Sequence, residues 1–94
     1  MKEIERTEVQ FRIFKGEVTA VFPYIIEGQN TVSCYVHNGQ HSTCIWSFNK
    51  VSKAAKFSQY EDLYNELISL GYVLKVITNR SHKKYLAAYH KFYQ

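Results

Sequence analysis

The sequence predicts an α+β domain, a four-stranded antiparallel meander followed by helix, strand and helix, with the helices packed on the sheet and covering one face. Two observations predict it. Apolar residues recur with a period of two over the first half of the chain, and from Ser58 the period becomes helical, with a short strand before a second amphipathic run. With 94 residues, 46% of them hydrophobic, the chain suits one domain and is too short for two. Residues 9–94 are assigned to that domain, and Met1 to Glu8 to a polar arm expected to fray.

The first strand is "VQFRIFK", where Val9, Phe11 and Ile13 alternate with Gln10 and Arg12. Gly16 permits a tight turn into "EVTAVFPYII", in which Val18, Ala20, Phe22, Tyr24 and Ile26 are expected on one face. Pro23 offers no amide donor, which places this strand at an edge or at a bulge. After the turn "EGQN", two strands flank Asn38 and Gly39. Ser58 with Glu61 fits a capping box, and Tyr60, Leu63, Tyr64, Leu67 and Ile68 fall at helical spacing before a glycine cap at Gly71. "YVLKVIT" returns to strand, and Ser81 caps a helix running toward Tyr93.

The stretch "SCYVHNGQHSTC" places Cys, His, His and Cys in mirror order, a spacing that invites a test for tetrahedral zinc. Strand geometry counts against it, because Cys34 and His37 lie an odd number apart and point to opposite faces, as do His41 and Cys44. A three-residue loop, Asn38 to Gln40, gathers Val32, Cys34, Val36, Cys44, Trp46 and Phe48 on one face. It pairs His37 with His41, Cys34 with Cys44 and Val32 with Trp46. The thiols are then core neighbours and the imidazoles close the hairpin tip, beside a Tyr35 expected to be exposed. Tyr35, His37, Gln40 and His41 form the candidate binding tip. No catalytic constellation, metal site or cofactor motif is assigned.

Net charge is +4, unevenly placed: seven basic and eight acidic residues precede Leu67, and five basic with no acidic residue follow. In a helix from Ser81, Lys83, Lys84 and Lys91 gather opposite Tyr85, Ala88, Tyr89 and Phe92. With Arg80 they would form a phosphate-binding stripe, giving weak, salt-dependent and sequence-neutral attachment to nucleic acid. The sequence carries no signal-peptide pattern and no apolar run of membrane length, so a cytoplasmic location is expected.

"FRIFKGEVTAVFPYI", "YVHNGQHSTC" and "YEDLYNELISLGYVLKVI" together resemble a group of small, functionally uncharacterised proteins of bacterial phages and mobile elements, over about Phe11 to Tyr89. The resemblance implies a bacterial or phage origin and an intracellular accessory role, without an activity, ligand or catalytic residue. A small sheet with an edge strand and a polar, aromatic hairpin tip then favours a protein-interaction module over a nucleic-acid binder.

Overall fold

A computed structural model describes residues 5–36 and 40–94. The elements are β1 (Thr7–Phe14), β2 (Glu17–Gly28), β3 (Thr31–Val36), β4 (Gln40–Ile45), α1 (Phe48–Val51), β5 (Lys53–Ala54), α2 (Phe57–Ser69), β6 (Leu74–Val76) and α3 (His82–Phe92). β1 to β4 form the expected antiparallel meander, in the order β4-β3-β2-β1. On its outer side β1 meets two short strands. β5 pairs antiparallel at Arg12 and Ile13, and β6 pairs parallel along Thr7 to Val9.

The turns follow from backbone chemistry. Lys15 (φ 53°) and Gly16 (φ 78°) are both left-handed and join Phe14 to its partner Glu17, the two-residue turn whose twist suits a hairpin. α2 ends in a Schellman turn: the Tyr72 amide donates to the Leu67 carbonyl (3.2 Å) and the Gly71 amide to that of Ile68 (3.0 Å), with Gly71 at φ 102°. α2 begins at Phe57, one residue before the expected Ser58 cap, because Gln59 Oε1 accepts from the Lys56 amide at 2.8 Å. Ser81 caps α3 as expected, its Oγ accepting from the Lys84 amide at 3.2 Å. Thr7 and Glu8, placed by the sequence in the frayed arm, belong to β1, where the Thr7 amide donates to the Val73 carbonyl at 2.7 Å.

The helices cover opposite faces of the sheet, not one. Val9, Phe11, Ala20, Phe22 and Tyr35 pack with Leu63 and Leu67 of α2 and with Leu74. Val21, which lies between Ala20 and Phe22 and so points the other way, packs with Val32, Ile26 and Tyr85 of α3. Covering both faces divides the apolar set predicted for β2. The pairing of β2 with β3 shifts between Phe22 and Ile26, around the buried Pro23, so Phe22 faces α2 whereas Tyr24 and Ile26 face α3. Of the two places open to the proline, the bulge is the one realised, in a central strand.

The connection from β4 to α2 folds back onto β1. Arg12 donates to the Ser52 hydroxyl (3.1 Å), the Asn49 carbonyl (3.1 Å) and the Ser52 carbonyl, so one guanidinium satisfies carbonyls around the end of α1 and holds β5 in place.

Burial within α2 separates adjacent residues. Leu67 is completely buried, whereas Ile68 is 41% exposed. Leu67→Ala is expected to cost about 2–5 kcal/mol, and Ile68→Ala under about 1 kcal/mol, in urea-denaturation midpoints at constant m-value.

Candidate functional site

The hairpin tip divides between core and surface. Tyr35 is 1% exposed, contrary to the expected exposed ring. Alternation turns it toward α2, where its hydroxyl donates to Glu66 Oε2 and its ring meets that of His41 edge-on at 4.8 Å. His41 is exposed, also neighbours Tyr72 (6.2 Å), and Tyr72 stacks on Phe22 at 5.4 Å. Gln40 enters β4 opposite Val36, whereas His37 lies outside the described residues. His41 therefore rests on buried Tyr35 and half-buried Tyr72. It lines a broad hollow of about 460 Å³ with Glu27, Ile25, Ser33, Thr43 and Tyr72. Among the described residues, no hydrogen bond or ion pair joins Glu27 to His41, and the hollow presents polar groups beside Ile25.

The hairpin register differs from the expected one by two residues. Cys34 pairs with Ser42 and Val32 with Cys44, leaving residues 37–39 between the last pair, Val36 and Gln40. The faces survive, because a two-residue change preserves alternation, and Val32, Cys44, Trp46 and Phe48 share the α3 side. The thiols become diagonal neighbours rather than facing ones. Cys34 is held below the ordinary thiol range by a hydrogen bond from Cys44, against burial, and with a second bond from Ser42. Cys44 is pushed up, first by donating that bond and then by burial. Among the described residues, no three His, Cys, Asp or Glu side chains are grouped to hold a metal ion.

Two members of the basic stripe have partners within the fold. Arg80 is half-buried: Nε donates to Gln10 Oε1 at 2.6 Å, Nη1 donates to the Trp46 carbonyl, and the guanidinium lies 4.4 Å from the Trp46 ring centroid. Trp46 stacks in turn on Tyr85 at 3.9 Å. Burial lowers the Arg80 pKa from its ordinary value, and Nη2 is buried without a partner. Lys84 is drawn to Glu8 Oε1 at 2.8 Å, with Lys75 at 3.9 Å from the same oxygen. Of the four residues of the expected stripe, Arg80 is committed to Gln10 and Trp46 and Lys84 to Glu8, whereas Lys83 and Lys91 are exposed. No motif announces Arg80's role. Its partner Gln10, a polar position in the alternation of β1, is 1% exposed, and its amide donates to the Thr78 carbonyl at 2.9 Å while its oxygen receives Arg80.

The two sheet edges are unlike. β1 is covered by two short strands that carry Lys53 and Lys75, ordinary protection against strand pairing. β4 is the terminal strand at the other edge, and "QHSTCI" contains no Asp, Glu, Lys, Arg or Pro. Ile45 (56% exposed) and Ile25 (42% exposed) lie on the face shared with Thr43 and His41. This open edge, with the hollow beside it, is the candidate site. Ile25 escaped sequence reasoning because the bulge sets its direction.

Comparison with known proteins finds no family model, no curated protein and no solved structure that matches the chain. Among the described residues, no helix is long and apolar enough to cross a membrane.

Arg80 and Lys83 thus separate structure from surface charge. Arg80→Ala is expected to cost about 2–4 kcal/mol by urea denaturation, since it unpairs Gln10 and the Trp46 carbonyl; Lys83→Ala is expected to stay within about 0.5 kcal/mol.

Proposed function

We propose that the protein is an interaction module that recruits a protein partner by adding an extended segment of that partner to the free edge of β4. The observation that carries this reading is the contrast between the edges: one is covered and carries lysine, the other is an uncharged six-residue strand beside exposed Ile25 and Ile45. Main-chain hydrogen bonds would supply affinity, and apolar side chains at alternate partner positions would reach the isoleucines. His41 would contribute polar contacts from the tip.

The affinity expected is modest. About three outward main-chain pairs at ~1 kcal/mol each, with partial burial of two isoleucines, sum to roughly 5–8 kcal/mol before the segment is ordered. This corresponds to dissociation constants of about 1 μM or weaker. An intracellular, cytoplasmic accessory role in a phage or mobile element, as the resemblance implies, belongs to the same reading. Nucleic-acid binding through α3 is the alternative, and it is weakened by the commitment of Arg80 to Trp46 and of Lys84 to Glu8.

The test is selection of displayed random peptides on the full chain, followed by amide hydrogen exchange of the complexes. Extended peptides with alternating apolar residues are expected to bind and to slow exchange in Gln40 to Ile45. Peptides that protect α3 instead, or no binders alongside salt-sensitive NMR shifts at Lys83, Lys84 and Lys91 with a short oligonucleotide, would overturn the proposal. Concentration-dependent protection of β4 in the chain alone would assign the edge to a second copy.

A further inference from the structure

We propose that Cys34 and Cys44 are a redox-modification site, and that the disulfide they form traps β4 in a second register, slipped by two residues along β3. The chemistry is independent of what docks on β4.

Both thiols are free and are diagonal neighbours on one face of adjacent strands, Cys34 buried opposite Ser42 and Cys44 half-buried opposite Val32. Diagonal neighbours in an antiparallel pair have Cα atoms about 7–8 Å apart, beyond the roughly 6.8 Å that a disulfide spans. Bond closure therefore requires the backbone to move. Directly opposed residues, at about 4.5–5.5 Å, meet the requirement.

One movement supplies that geometry without turning any side chain to the wrong face. Sliding β4 by two residues brings Cys44 opposite Cys34 and Trp46 opposite Val32, and three residues still connect the strands. Among the described strands β4 pairs only with β3, so a slip would break one ladder and not two. In the reduced register, the Trp46 amide donates to the Asn30 carbonyl (2.7 Å) and its ring lies between Tyr85 and the Arg80 guanidinium. The slip breaks this stack, which opposes oxidation and makes Trp46, the single tryptophan of the chain, a reporter of it.

A peroxide is the oxidant. The Cys34 thiolate attacks one peroxide oxygen; the O–O bond breaks, the departing hydroxide takes up a proton as water, and Cys34 becomes a sulfenic acid. The Cys44 sulfur then attacks the Cys34 sulfur, the S–O bond breaks, and the hydroxyl leaves with the Cys44 proton as a second water. Two thiols lose two electrons, and one peroxide is reduced to two waters.

The experiment treats the full chain with hydrogen peroxide and reads thiol content, non-reducing peptide maps, tryptophan fluorescence and NMR cross-strand contacts. Free thiols are expected to fall from two per chain to none in a monomer, with a Cys34–Cys44 linked peptide pair restored to free thiols by dithiothreitol. Contacts should pass from Cys34–Ser42 and Val32–Cys44 to Cys34–Cys44 and Val32–Trp46, with a shift in Trp46 emission. In Cys44→Ser, dimedone should label Cys34. Sulfinic acid without a linkage, or only intermolecular disulfides, would overturn the modification site. A linked pair with unchanged cross-strand contacts would overturn the slip.

Discussion

The constraint on which the structure depends is that β2 buries both of its faces. A strand covered on one side needs apolar residues only at alternate positions, but Ala20, Val21 and Phe22 are all buried, and α2 and α3 pack on opposite sides. A regular strand would continue to send even-numbered residues toward α2. The bulge around Pro23 reverses this, sending Tyr24 and Ile26 to α3 and Ile25 outward. Because proline lacks an amide hydrogen, the irregularity falls where the ladder loses a donor in any case. The same reversal supplies the Tyr24 hydroxyl that accepts from the Ser81 amide at 2.8 Å, at the start of α3.

A second internal device fixes α3 to the sheet. Arg80 joins Gln10 of β1, the Trp46 carbonyl beyond β4 and the Trp46 ring in one position, immediately before the Ser81 cap. Neutral oxygens and a π face, rather than a carboxylate, hold the cation. A delocalised guanidinium tolerates such surroundings better than a compact, strongly hydrated ammonium would. The Trp46–Tyr85 stack extends the arrangement into the helix, so α3 is anchored through aromatic surface as well as hydrogen bonds.

The sheet is asymmetric in what it leaves available. Its β1 edge is closed twice, by β5 and by β6, and the short α1 segment is held there by Arg12. At the other edge, β3 and β4 bring together an uncharged strand, a half-covered aromatic wall and two hydrogen-bonded thiols. The docking and the change of register proposed above would both act on the six residues of β4.

Period and punctuation in the sequence determined the succession of the main elements, though not α1 and β5: the two-residue alternation of Val9, Phe11 and Ile13, the glycines at 16 and 71, and Ser81 as a cap. These were legible because each depends on the backbone preferences of a few neighbouring residues. The faces of the β3–β4 hairpin were legible too, since registers two residues apart share the same alternation, and that is also why the Cys34 to Ser42 pairing was not. Tertiary structure alone decided that the helices cover opposite faces, that β6 runs parallel to β1, that Tyr35 is interior and that Arg80 is held against Trp46 and Gln10. Each of these depends on which distant residue lies across the sheet, and a local pattern records a side chain's periodicity without naming the neighbour it will meet.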